Sequence, residues 1–178
     1  MKRILSFLAV LICTMSLNAQ QHLPALELGA PAPEFTAADT LGVSHSLADF
    51  SDRIVVVDFW ASWCGDCRRE MPALKQLYAD WHDRGVEFLS VSFDEDANAW
   101  RSYLRKQAMP WLHISNLLPW HSKVDGVSVT TNPIAAAYDL KWIPTLILVD
   151  RGTLVAVDTT VEAFETKLRE HLLGERVE

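Results

Sequence analysis

From residue 34 onward, short apolar runs alternate with stretches in which apolar residues fall at helical spacing. Residues 54–59 are apolar except for Asp58, the pattern of a central strand covered on both faces. Residues 86–93 repeat that pattern, and two shorter runs, 145–149 and 154–157, flank a hairpin turn at Asp150-Arg151-Gly152. Between the runs, the spacing predicts a helix over 64–83, bent by Pro72 and ended by Gly85. Further helices are expected over 95–107 and 133–138. A closing amphipathic helix over 161–173 places Val161, Phe164, Leu168, Leu172 and Leu173 near one another. Two short strands near 34–37 and 43–45 flank Gly42, and Ser46 caps one helical turn over 46–50. Residues 110–132 follow neither period. Pro110, Pro119, Gly126 and several Ser and Thr make them a loop-rich insertion with one short strand near 111–114. The whole predicts an α/β fold with a central mixed sheet flanked by helices.

The join between the first long strand and its helix carries the candidate chemistry. It reads Phe59-Trp60-Ala61-Ser62-Trp63-Cys64-Gly65-Asp66-Cys67. Positions i and i+3 share a helix face, so Cys64 and Cys67 can close a small disulfide with little backbone movement. Unpaired N–H groups and partial positive charge at a helix start favour a thiolate. Cys64 is then the attacking sulfur and Cys67 the resolving one, which is the chemistry of dithiol–disulfide exchange. A loop closed across two residues constrains the unfolded chain little, so a structural staple is the weaker explanation. Asp66 puts negative charge beside Cys64 and opposes its thiolate, an effect that Arg68 and Arg69 offset.

The first residues change the picture of where this happens. Lys2 and Arg3 precede an apolar run to Leu17, too short to span a bilayer, and Ala19 offers a small residue for cleavage. Residues 1–19 read as a secretory signal peptide, and removing them also removes Cys13. Residues 20–33, with Pro24, Gly29, Pro31 and Pro33, form an extended lead-in, followed by one domain over 34–174. The expected location is periplasmic or otherwise extracytoplasmic. The whole chain has 16 basic and 23 acidic side chains, so loss of Lys2 and Arg3 brings the net charge to −9. Such a balance argues against nucleic acid or an anionic membrane surface as the partner.

With these residues in hand, residues 57–67 followed by Arg69-Glu70-Met71-Pro72 resemble the active site of thioredoxin-like proteins, specifically the exported TlpA/ResA type. Gly29-Ala30-Pro31-Ala32-Pro33-Glu34-Phe35, residues 86–94 and Trp142-Ile143-Pro144-Thr145 extend the resemblance over about 28–172. It implies a thioredoxin-like fold with an N-terminal extension, and a cis-proline at Pro144 facing the cysteine pair. An extended substrate segment would pair with the exposed backbone of Ile143, and Trp63, Ile143 and Trp142 would form an apolar docking patch. Asp58 matches a buried aspartate and Glu70 a buried glutamate, and either would take the Cys67 proton. The alternative for Glu70 is a solvent-facing position beside Arg68 and Arg69. The resemblance further implies a monomer that needs no cofactor beyond its disulfide. Its partners would be exported disulfide-bearing proteins and a membrane thiol-disulfide electron donor, with cytochrome c maturation among the processes served.

Other chemistries fit the residues less well. His22, His45, His82, His113, His121 and His171 show no zinc-like spacing, and no metal site is expected. Arg68 stands where a covalent haem motif needs histidine. A soft-metal module holding Cu(I) through Cys64 and Cys67 lacks a nearby third ligand. A peroxiredoxin-like peroxidase shares the general fold but keeps its reactive cysteine in a Pro/Thr-rich loop. Trp60, Trp81 and Trp100 are read as core. The insertion with Trp111, Trp120 and His121 either shapes partner choice or is a passive surface loop.

Overall fold

The computed structural model describes residues 23–174, so the signal segment, Cys13 and the start of the lead-in lie outside the described residues. In chain order the strands are β1 (Thr36–Asp39), β2 (Ser44–Ser46), β3 (Ile54–Trp60), β4 (Val86–Ser92), β5 (Leu112–Ser115), β6 (His121–Val124), β7 (Val127–Thr130), β8 (Thr145–Asp150) and β9 (Thr153–Asp158). The helices are α1 (Gly65–Trp81), α2 (Ala97–Gln107), α3 (Pro133–Ala137) and α4 (Val161–Leu173). Seven strands make one mixed sheet in the order β2-β1-β5-β4-β3-β8-β9. β3 lies inside it, parallel to β4 and antiparallel to β8. Its unbroken β-branched run suits that place, because both faces are covered and Val55 to Trp60 are all buried.

Side chains alternate along a strand, so β3 serves two cores. Phe59 meets Phe35, Phe93 and Tyr138 on one face of the sheet. Trp60, on the other face with Asp58, packs against Tyr103 of α2 and His113 of β5. Trp60, Trp81 and Trp100 are buried, in line with the sequence reading.

Several boundaries differ from those expected. β3 runs one residue further, to Trp60, and carries the chain to the cysteine turn. α1 begins at Gly65 and continues through Pro72 as one helix; a 3-10 turn, His82–Arg84, then leads to Gly85 at φ 89°. α2 starts at Ala97 because the Asp96 carboxylate accepts from the Asn98 and Ala99 N–H groups. The main correction concerns residues 110–132. Besides β5 they hold a separate two-stranded sheet, β6 antiparallel to β7. Its turn is Asp125-Gly126, both at positive φ (51° and 81°), which is the primed turn geometry of a tight hairpin.

Candidate functional site

The strand–helix join folds as its residues dictate. Cys64 is the N-cap of α1, with extended backbone, and its Sγ accepts from the Cys67 N–H at 3.1 Å. Cys64 and Cys67 are joined as a disulfide with Cα atoms 5.3 Å apart. The bond sits where the helix presents unpaired N–H groups and positive partial charge. Cys64 is 7% exposed and Cys67 2%, so the first cysteine is the more accessible residue of the pair. Asp66 lies in the first turn and its carboxylate pairs with the Arg69 guanidinium, partly neutralising the charge beside Cys64.

Facing the pair is the segment before β8. The Ile143–Pro144 bond is cis, and the Ile143 carbonyl oxygen lies 3.6 Å from Cys64 Sγ. Trp63, Cys64, Gly65, Asp66, Trp120, Trp142 and Ile143 line a cleft of about 340 Å³. Ile143 itself is buried, whereas Trp63 is 55% and Trp142 38% exposed. The sequence placed Trp63, Trp142 and Ile143 here; Trp120, from the insertion, is the addition.

Asp58 and Glu70 occupy different environments. Asp58 is buried on β3, and its Oδ2 accepts from the Ser90 hydroxyl at 2.9 Å. Ser90 Oγ in turn accepts from Trp111 Nε1 at 2.8 Å, and Trp111 packs against Tyr78 of α1, so Asp58 lies on the α1 side of the sheet. Loss of water pushes the Asp58 carboxyl up to about 7, against which the single Ser90 hydrogen bond works. A group titrating there can exchange protons near neutrality. Glu70 is half-buried, and its Oε2 accepts from the Val161 N–H at 2.8 Å. It therefore ties α1 to the first turn of α4, a favourable place for a carboxylate.

One structural pair was not identified from sequence. Asp94, just beyond β4, is buried and accepts from the Ser62 N–H (2.8 Å), the Ser62 hydroxyl (2.6 Å) and the Ser92 hydroxyl (2.6 Å). With the Phe93 N–H donating to the Trp60 carbonyl, it fixes the loop that carries Trp63 and Cys64. The available signal was an acidic residue directly after a buried strand in an α/β pattern, where sites collect. Among the described residues no cluster of three or more His, Cys, Asp or Glu is placed to hold a metal. Nor is any described helix long and apolar enough to cross a membrane.

A model of the AhpC/TSA family matches residues 28–157. The thiol-disulfide oxidoreductase ResA of Geobacillus thermodenitrificans (strain NG80-2) is 27% identical over 170 residues, covering 95% of this chain and 90% of that protein. ResA of Bacillus subtilis (strain 168) is 26% identical over 157 residues, or 85% and 80% of the two chains. Among solved structures, the thioredoxin domain of a thiol-disulfide oxidoreductase from Bacteroides vulgatus matches with a TM-score of 0.70 and 28% identity, covering 83% of this chain and 99% of that one. A thiol:disulfide interchange protein from Bacteroides sp. matches with a TM-score of 0.68 and 29% identity, covering 86% and 94%.

Proposed function

The chain belongs to the AhpC/TSA family and is a thiol:disulfide oxidoreductase of thioredoxin-like fold; from that premise we propose that it reduces disulfides of exported proteins outside the cytoplasm. The observation that carries this reading is the Cys64–Cys67 disulfide at the start of α1, with Cys64 facing a cleft beside the Ile143 carbonyl. The nearby second cysteine favours disulfide exchange over a peroxidase reading, since the resolving thiol is one helical turn away.

In the reduced enzyme the Cys64 thiolate attacks one sulfur of a substrate disulfide. That S–S bond breaks, a mixed disulfide forms, and the substrate's other sulfur leaves as a thiolate that takes a proton from water. Cys67 then attacks Cys64 Sγ, forming the enzyme disulfide and releasing the second substrate sulfur. Asp58, titrating near 7, accepts the Cys67 proton, while Glu70 holds α1 against α4. The substrate backbone runs along Ile143–Pro144, with Trp63 packing beside it. No cofactor beyond the disulfide takes part. A membrane thiol-disulfide carrier returns two electrons and two protons to the monomeric enzyme. Resemblance to exported ResA-type proteins supports apocytochrome c cysteine pairs as one substrate class. The apolar run at residues 4–17 supports export.

Cys67→Ser protein incubated with a disulfide-bonded peptide should accumulate a mixed disulfide through Cys64. Absence of any adduct in that variant, with a one-to-one Cu(I) complex of the reduced wild type, would favour the metal-binding module instead. Equilibration with glutathione should give a potential of about −250 mV or lower; a value near roughly −120 mV would mark an oxidant and reverse the proposed direction.

A further inference from the structure

We propose that the insertion between β5 and α3 is the selectivity wall of the redox cleft. The favoured substrate segment carries an aromatic or large aliphatic side chain within two residues of its reacting cysteine. This rests on the reductase reading and names the substrate class of the same site. The cleft beside Cys64 draws its three indoles from three separate segments: Trp63 from the β3–α1 loop, Trp142 from the approach to β8, and Trp120 from the insertion. Its volume of about 340 Å³ is at the small end of ligand pockets, enough for one large side chain beside the reacting sulfur. Trp63 and Trp142 present apolar surface whose removal from water drives association. Asp66 is the one charged residue of the lining, and it places a carboxylate where an acidic substrate residue would be repelled.

Trp120 is held too firmly to be a passenger on a loose loop. Its ring stacks on Phe93 (centroids 6.1 Å apart, 19° between planes) and lies 4.2 Å from His121. Its carbonyl accepts from the N–H groups of Thr131 and Asn132. The Asn132 side chain, fully buried, donates to the Leu118 carbonyl and Asn116 Oδ1 and accepts from the N–H groups of Ile134 and Ala135 at the start of α3. Both ends of the hairpin are thus locked to the sheet end and to α3. The wall stands ready before a substrate arrives, which spares the ordering cost of forming it on binding.

The test uses two synthetic disulfide peptides that differ only in carrying Phe or Glu two residues from the reacting cysteine. Wild-type reduced protein should show a kcat/KM about tenfold higher for the Phe peptide, mostly through KM. Trp120→Ala should cut that ratio to about twofold, and Trp142→Ala, which removes a more exposed indole of the same lining, should also lower it. Trp120→Phe, which keeps a ring against Phe93, should restore most of it. A purely structural role for Trp120 would slow both peptides alike and leave the ratio unchanged, overturning the inference. Equal wild-type rates for the two peptides would overturn it as well. Failure of the wild type to reduce even oxidised glutathione would instead overturn the reductase reading, and the inference with it.

Discussion

Replacing Asp58 with Asn should change how stability depends on pH, by an amount the burial of this one carboxyl sets. The folded-state value is about 7 against an ordinary 3.8, a rise of roughly three units caused by loss of water. Each unit is about 1.4 kcal/mol, so the ceiling is about 4 kcal/mol. Because the folded value is raised, the stabilising contribution is fully present below 3.8. It is lost as pH climbs through 7, where the wild type must bury a charge or unfold. Asn keeps an oxygen for the Ser90 hydroxyl but has no proton to lose. The stability difference, variant minus wild type, should therefore rise by several kcal/mol between pH 4 and 8.5. His113, buried and pushed down to about 3 by loss of water, destabilises the fold as pH falls below its ordinary range. It does so equally in both proteins and cancels from the difference. Urea denaturation of the oxidised forms at a series of pH values measures it. A difference that stays flat across that range would refute the assignment of a buried, proton-binding Asp58.

Three other substitutions probe the surroundings of the disulfide. Asp66→Pro removes the carboxylate at the start of α1 and should lower the Cys64 pKa; thiolate absorbance during a pH titration reads it, and an equal or higher value contradicts the charge argument. Asp94→Ala strips the acceptor from three donors at once and should destabilise by about 3 kcal/mol, or roughly 6–12 °C in thermal melting; a shift under 2 °C would mean the loop holds without it. Glu70→Gln keeps the hydrogen bond to Val161 but loses the charge at the α4 N-terminus, costing about 0.5 kcal/mol. It should leave resolution of the mixed disulfide almost as fast as in wild type, and a slowing that matches Asp58→Asn would move the proton role to Glu70.

Much of this architecture is legible because period and burial agree. The Val run of β3, the CxxC spacing and the Phe164 and Leu168 face of α4 each satisfy one local rule and one packing need. The hairpin of β6 and β7 escaped because its residues are largely exposed and β6, His121-Ser122-Lys123-Val124, shows no apolar alternation to pair with that of β7. The dipeptide Asp125-Gly126 between Val124 and Val127 was the readable clue, since an Asp-Gly pair between β-branched residues marks a primed turn. Asp94 was hidden for another reason. Its partner Ser62 is 32 positions away, and nothing local reveals which loop a buried carboxylate will hold. Glu70 shows the reverse case: helical spacing located it one turn from Cys67, but its acceptor role depends on where α4 begins, 91 residues later.

The small second sheet pairs only with itself, and its tip residues Val124 and Val127 face water. The tip is therefore mechanically separate from Trp120 at the cleft and from the cysteine turn. The tip can be lengthened, recharged or exchanged for another sequence while the Asn132 anchorage and the cysteine turn stay as they are. Sequence variation can therefore gather at this tip without disturbing the indole that lines the cleft or the sulfurs beside it.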